Sequence, residues 1–358
     1  MGGIQRNGRG LARTLLRAGS EVMVLSSVLN VGSGGTVEPG ENDDLLQGGA
    51  KIVYLRELNS LWARLRELYN LVTEVRRFRP DVLIGTGTSW HLGLLGMMLP
   101  SKVQKIFYEG MSGESNGLKD PRWLVRWFFD EVVGQSPRVA ETFAQSFGWR
   151  KRLHNIPAFP EPLELTAHLP TASRRPVPFG AARAGFFSRL VEGKQGLWLV
   201  RQWHNLKDML DVLHIHGRGP ELEAIKSFIE ANALGDRVQC FGAYPSGQSY
   251  ADLLATYDLT LLPTIFPEGA PLVLLESMAC GVPFVANGVG GIPDYAIGNP
   301  NCVVVSDKSK FLVGVKQMTL ALKEGKIDQP QLQRLYLLEY SQDALEKKWL
   351  SYLGIQSS

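Results

Sequence analysis

Short apolar runs alternate with stretches of helical period along almost the whole chain, and this alternation predicts a parallel α/β architecture. Residues 21–26 (EVMVLS) and 51–55 (KIVYL) read as strands. Leu61, Leu65, Leu68, Val72 and Val75 then recur at steps of four and three, which predicts a helix that Pro80 ends. Further strands are expected at 81–85, 104–108 and 131–134. Residues 155–179 hold Pro157, Pro160, Pro162, Pro170, Pro176 and Pro178 and no sustained period, so they read as an interdomain connection. The βα pattern resumes with strands at 184–188, 212–217, 238–242, 259–263, 283–287 and 302–305. The expected domains are residues 1–158, a Pro-rich linker at 159–179, a second α/β domain at 180–329, and a helical tail at 330–358. Pro330 suits the opening of that tail helix, and Trp349, Tyr352 and Leu353 are available to dock it.

Composition narrows the class. The 358 residues are 44% hydrophobic and 20% charged, which excludes a largely disordered chain. The net charge of +3 does not by itself point to nucleic acid. Cys240, Cys280 and Cys302 fit no metal-ligand spacing and read as reduced thiols of a cytosolic protein. The first twenty residues carry Arg6, Arg9, Arg13 and Arg17 and no long apolar core, so no signal peptide is expected. The uncharged stretch 82–101 contains four glycines, His91 and Pro100, and reads as a buried strand plus a small-residue helix rather than a membrane span.

Three stretches carry chemistry. In PEGAPLVLLESMACGVPFVANGVGGIPD, residues 267–294, Pro271 suits a helix start and Gly281 a helix end, which puts Glu276 in an otherwise almost wholly apolar helix. An unpaired buried carboxylate costs several kcal/mol, so Glu276 must face a polar cleft or meet a partner, a structural salt bridge being the alternative. Glu268, eight positions earlier, sits where the positive end of the helix suits its charge. In AGFFSRLVEGKQG, residues 184–196, a strand ends at Arg189 and Lys194 follows in a glycine-flanked loop. Ligands sit at the carboxyl ends of strands in open α/β sheets, and this pair of cations suits a diphosphate; two solvated surface cations are the alternative. In HIHGRGPELEAI, Gly217 and Gly219 follow a strand and let the backbone approach a ligand closely. His214 and His216 have no third metal ligand nearby and read as core or edge histidines. Gly85 and Gly87 lack the third glycine of a dinucleotide loop.

Residues 184–294 resemble the C-terminal domain of glycosyltransferase family 4, a retaining group with the GT-B fold of two facing Rossmann-like domains and an active site in the cleft. Glu268 and Glu276 match its Glu-x7-Glu motif, Arg189 and Lys194 its first-turn cations, 217–220 its Gly-x-Gly-Pro turn, and 289–293 its Val-Gly-Gly-Ile-Pro turn. Gly2-Gly3, Pro80-Asp81 and residues 133–136 match more loosely in the N-terminal half. The resemblance implies transfer of a sugar from a nucleoside-diphosphate sugar to a hydroxyl of a glycan, lipid-linked or small-molecule acceptor, with retained configuration. It implies that Glu276 binds the ribose, that Glu268 holds a sugar hydroxyl, and that Arg189 and Lys194 neutralise the leaving diphosphate. Gly269 and Ala270 would offer amides to the sugar, and Gly242 and Tyr244 would lie near the base. On the acceptor side it implies Gly2 and Gly3, with Glu109 or His91 in place of a histidine that many members carry. No metal, cofactor or nucleic acid is implied, and the tail helix is implied to pack back on the N-terminal domain. A non-catalytic sugar-nucleotide-binding protein and a nucleotide-sugar epimerase of the same fold are the alternative classes.

Three expectations concern the N-terminal half. PRWLVRWFF at 121–129 mixes Trp123, Trp127, Phe128 and Phe129 with Arg122 and Arg126. With Arg76, Arg77, Phe78 and Arg79 it could rest on an anionic membrane, giving a cytoplasmic protein peripheral to the inner face of the plasma membrane; a core helix with a solvated basic turn is the alternative. Asp43 and Asp44 read as solvated loop residues. A glycine turn should follow a central first strand, yet only Met1 precedes Gly2, so a first strand is expected to be missing and to be encoded upstream.

Overall fold

The computed structural model describes residues 3–27, 43–55, 60–160, 168–171, 175–266, 268–269 and 271–356. The chain divides into two units. Unit 1 comprises residues 1–159 and 345–358, and unit 2 comprises 160–344.

Unit 1 starts with the helix Gly3–Arg17, followed by β1 (Met23–Ser27), the short helix Asp43–Gln47 and β2 (Lys51–Leu55). The helix Leu61–Phe78 leads into β3 (Val82–Thr86), and Trp90–Met98 into β4 (Gln104–Glu109). The helix Trp123–Phe128 precedes β5 (Glu131–Gly134), and Pro137–Phe147 precedes β6 (Arg152–Asn155). Ser60 caps the long helix through an acceptor bond from the Ala63 amide, as a short hydroxyl side chain at that position should. All pairings are parallel, but they form two hydrogen-bonded sheets: β1 with β2, and β3-β4-β5-β6. The Gly3–Arg17 helix packs on both. Leu11 and Leu15 join Val82, Ile84 and Ile106, while Ala12 and Leu16 join Val24 and Ile52. The first described strand therefore follows the first helix, and β1 and β3 each have one strand partner among the described residues. Leu345 and Trp349 of the helix Gln342–Leu353 complete the cluster around Tyr108 and Phe159.

Asp43 and Asp44 are exposed, as expected, but Asp44 lies in a short helix rather than a loop and is ion-paired. It accepts from Arg9 at 2.8 Å and from Arg13. Partial burial alone would raise its pKa, but these arginine bonds outweigh that and hold the carboxyl below its usual value.

Unit 2 is one all-parallel sheet of six strands: β7 (Ala182–Phe187), β8 (Leu210–His216), β9 (Val238–Gly242), β10 (Leu259–Leu262), β11 (Phe284–Asn287) and β12 (Cys302–Val305). Their order is β12-β11-β10-β7-β8-β9, so the winding reverses beside β7. β7, β10 and β11 read as near-continuous apolar runs because helices cover both faces, whereas the edge strand β9 leaves Gln239 and Phe241 exposed. One face packs on Leu199, Ile225 and Met318, the other on Tyr250, Leu274, Met278 and Tyr336. Apart from Phe159, the described parts of the Pro-rich 159–179 stretch lie on this unit. The Val177 amide bonds the Leu322 carbonyl, and the Pro170 carbonyl accepts from Gln333. The tail expected as one helix is two. Gln329–Glu339 stays in unit 2, capped by Asp328, and only the second, Gln342–Leu353, supplies residues to unit 1. Among the described residues no helix is long and apolar enough to cross a membrane.

Candidate functional site

The reversal of strand order beside β7 opens a crevice at the carboxyl ends of β7 and β10, the usual ligand position in such sheets. The two turns that border it carry the candidate residues. Arg189 follows β7 and is exposed. Lys194 closes the 3-10 turn Glu192–Lys194, which leads directly into the helix Gly196–Arg201. Gln195, in a left-handed conformation, bonds back to the Glu192 carbonyl at 2.6 Å and accepts from Lys308. Lys308 itself lies 4.5 Å from the centre of the Trp198 ring, a cation–π contact that fixes this side of the turn.

Across the reversal, the segment after β10 carries Thr264 and Glu268. The fully buried Thr264 hydroxyl lies 3.1 Å from both the Gly193 carbonyl and Glu268 Oε1. The Ile265 amide also bonds Gly193 O, at 2.9 Å. Lys194 Nζ donates to Glu268 Oε1, and the two side chains are 13% and 16% exposed. The Gly291 amide bonds Glu268 O at 2.8 Å. Gly290 turns there with φ +57°, and a Cβ on it would meet Glu268 O at 1.9 Å. The Val-Gly-Gly-Ile-Pro turn is thus shaped around the backbone of Glu268.

Glu276 is 5% exposed in the helix Leu272–Ala279, and Tyr250 donates to its Oε2 at 2.7 Å. Burial first, then the charge of Glu276, hold the Tyr250 phenol well above its ordinary pKa, so it stays a donor. Tyr250 belongs to a ring cluster around Phe187, the last residue of β7, with Tyr244, Tyr257 and His216 at centroid distances of 4.5–5.7 Å. Gly269 is buried beside Glu268, and Ala270 and Gly2 lie outside the described residues.

Gly217 and Gly219 stand in the turn that follows β8. A Cβ on them would meet Ser188 O at 1.8 Å and Leu190 O at 2.3 Å, so their close approach is to the neighbouring turn. Leu190 is then clasped from both sides: its amide bonds Arg218 O at 2.8 Å and its carbonyl accepts from Glu221 at 3.0 Å. The Gly217 amide also reaches Gly242 O at 2.6 Å, which ties this turn to the end of β9. The glycines hold the turn that carries Arg189. His214 and His216 share the Tyr257 hydroxyl, at 3.0 and 2.7 Å.

The residues expected on the acceptor side lie in unit 1 and do not cluster. Gly3 opens the first helix. His91 is half-buried at the start of the helix Trp90–Met98, with its amide on Ser89 Oγ. Glu109 ends β4 inside a buried ion-pair network. Arg122 donates to Glu109 Oε2 at 2.8 Å and to Asp120 Oδ2 at 2.7 Å, and the Met111 amide bonds Glu109 Oε1 at 2.8 Å. This overturns the surface reading of residues 121–129. Arg122, Val125 and Phe129 are buried, Trp123 meets Phe147 edge to face, and only Trp127 of the stretch projects, 66% exposed. Two partners at sequence distances of two and thirteen pull the arginine inward. Sequence reasoning also missed Thr264 and Tyr250. Tyr250 stands in a polar stretch, GQSYAD, that marks no one residue, and the signal that could have found Thr264 is its place as a lone hydroxyl at the carboxyl end of a strand, four residues before Glu268.

Residues 181–319 match the family model described as Glycosyl transferases group 1. An exopolysaccharide phosphotransferase of Streptomyces coelicolor is 30% identical over 221 residues, 59% of this chain and 22% of that protein. A GDP-mannose-dependent alpha-(1-6)-phosphatidylinositol monomannoside mannosyltransferase of Mycobacterium tuberculosis is 31% identical over 129 residues, 34% of each chain. The matches span between a fifth and a third of these relatives' length. The crystal structure of Anabaena HepE in complex with UDP-glucose superposes with a TM-score of 0.68 at 15% identity, covering 97% of this chain and 96% of that one, a likeness of fold.

Proposed function

We propose that this chain, which has the GT-B fold and matches the glycosyl transferases group 1 family over residues 181–319, is a glycosyltransferase. It moves a sugar from a nucleoside-diphosphate sugar to a hydroxyl acceptor with retained anomeric configuration. The observation that carries the reading is the meeting of Lys194 and Glu268 across the point where strand order reverses, with exposed Arg189 on the same edge of the sheet. Arg189 forks onto diphosphate oxygens, and Lys194 takes the charge that grows on the leaving group. Glu268 receives a hydroxyl of the transferred sugar, with Gly269 beside it. Glu276, oriented by Tyr250, takes the ribose hydroxyls, and the base lies near Gly242 and Tyr244. The chemistry needs charge stabilisation and exclusion of water rather than a bound metal.

Unit 1 takes the acceptor. A lipid-linked acceptor and a peripheral stance at an anionic membrane fit its surface. The helix Leu61–Phe78 exposes Trp62 (82%), Leu65 and Tyr69, and a cavity of about 630 Å³ at its end is lined by Tyr69, Arg76, Arg77, Arg79 and Met98. Aromatic side chains beside arginines suit a lipid–water interface.

A thermal-melt panel of UDP, GDP, ADP and TDP sugars tests the donor half. One of them should stabilise the protein by roughly 2.7 kcal/mol at a hundred times its dissociation constant. Release of the matching nucleoside diphosphate only with an acceptor present, and NMR of the product anomer, test the rest. An epimeric nucleotide-sugar as the product would indicate the epimerase alternative, and no stabilisation by any donor sinks the reading.

A further inference from the structure

Lys194 and Glu268 each have a task in the proposed reaction, yet in the structure they satisfy each other. The pair is largely shielded from water, and among the described residues only Thr264 adds a side-chain bond to Glu268 Oε1. A diphosphate that draws Lys194 away leaves the carboxylate shielded with a single hydroxyl partner, which is costly. A sugar hydroxyl arriving with the diphosphate removes that cost by donating to Glu268. The two exchanges favour each other, so the site responds to the sugar and the diphosphate together.

We propose that the Lys194–Glu268 pair is an exchangeable latch, held in register by Thr264, through which the site distinguishes a nucleoside diphosphate that carries a sugar from one that does not. The inference rests on the glycosyltransferase reading and adds to it a basis for product release. Once the sugar has left, Glu268 competes for Lys194 again and weakens the hold on the bare diphosphate. Thr264 is a positioning residue. Its hydroxyl has two acceptors at the same distance, Gly193 O on the turn that carries Lys194 and Glu268 Oε1 itself. When Glu268 turns to a sugar, the hydroxyl still donates to Gly193 O and the turn keeps its place.

Calorimetric titration of the full chain with UDP, GDP, ADP and TDP, each bare and as its glucose or mannose conjugate, tests this on the wild type, Glu268→Gln, Thr264→Val and Thr264→Ser. In Glu268→Gln the bare nucleoside diphosphate of the preferred base should bind roughly tenfold more tightly, a change of about 1.4 kcal/mol. The sugar conjugate should gain nothing, so the preference for it collapses. Thr264→Val should shift that preference in the same direction and Thr264→Ser should restore it, with melting curves recorded alongside. If Thr264→Val fails to fold, Glu268→Gln still decides. Bare nucleotide binding Glu268→Gln no more tightly than wild type overturns the latch, and Thr264→Ser behaving like Thr264→Val overturns the role of Thr264. Failure of all four bases to bind wild type instead overturns the glycosyltransferase reading, and the latch with it.

Discussion

Glu109 and Arg122 in unit 1 are each 1% exposed, whereas Lys194 and Glu268 in unit 2 are 13% and 16% exposed. The difference goes beyond burial. Arg122 spends its guanidinium on Glu109, on both oxygens of Asp120 and on the Glu114 carbonyl, and it lies 5.0 Å from the Phe147 ring centre. Those bonds outweigh the burial of Asp120 and hold its carboxyl below the usual value. Every atom of that cluster has a place to be, and nothing is left to offer a ligand. Lys194 gives its ammonium to a carboxylate that, among the described residues, only one other side chain, Thr264, supports. A saturated pair holds a fold, and an unsaturated one at a sheet edge can change partners.

The sharpest way to break this contrast is Arg122→Met. It would leave Glu109 and Asp120 buried without a cation, a loss of about 3–5 kcal/mol. The melting temperature of unit 1 should fall by roughly 10 °C. A fall of about 2 °C or less would mean that the cluster is as exchangeable as the one in unit 2.

Lys194→Ala is the matching change in unit 2 and should act on rate rather than on folding. Removing a preorganised partner of developing charge costs about 100- to 1,000-fold in turnover, or ~2.7–4 kcal/mol. Donor affinity should fall by less, because leaving-group charge grows toward the transition state. Wild-type activity should persist in EDTA. A strict manganese requirement, or equal losses in affinity and turnover, would put the charge stabilisation elsewhere.

What could be read from the chain follows the same line. β7, β10 and β11 of unit 2 are legible because they are almost wholly buried and so are near-continuous apolar runs, and the doubly wound class follows from the spacing of all six strands. β6 is invisible in the sequence: Arg152, Leu153, His154 and Asn155 all face solvent at the edge of the sheet, so no apolar run marks it. Charged residues divide in another way. Glu268, Glu276, Arg189 and Lys194 stand out because each is a charge in or beside an apolar or glycine-rich stretch. Arg122 misleads, because its burial is decided by Asp120 and Glu109, and a string of aromatic and basic residues reads the same whether its arginine faces in or out. Gly217 and Gly219 are visible as glycines, but whether the close neighbour is a ligand or the backbone of Ser188 and Leu190 is a matter of tertiary structure alone.

Glu276→Gln measures a smaller effect. The amide oxygen can still accept from Tyr250, so the packing of the helix is kept and melting should be unchanged within about 1 kcal/mol. A ribose hydroxyl donating to a neutral acceptor is bound about half as strongly as one donating to a carboxylate, and donor affinity should fall roughly tenfold. If the affinity holds and the stability drops instead, Glu276 belongs with Glu109 as a structural carboxylate.

The smallest expected effect separates the units by pH. Unit 2 buries His216 without charging it. The ring stacks 4.5 Å from Phe187 and 5.1 Å from Phe241, and desolvation first, then the neighbouring His214, bring its pKa down to about 4. Between that value and the ordinary 6.5 the unfolded chain binds the proton and the folded one does not. Stability is therefore full above pH 6.5 and declines as the pH falls toward 4, by about 1 kcal/mol at pH 5.5. His214, also lowered by burial and by Arg183, adds a loss of the same sign. Unit 1 has the other window. Asp120, held low, gives stability that is lost only as the pH falls below its ordinary 3.8. Glu109, pushed up by burial against the pull of Arg122, loses nothing on acidification. Urea midpoints at pH 7 and 5.5, followed by probes in each unit, should show a drop in unit 2 alone. His216→Phe should shrink that drop while keeping the aromatic stack. An equal drop in the variant would move the acid sensitivity of unit 2 away from His216.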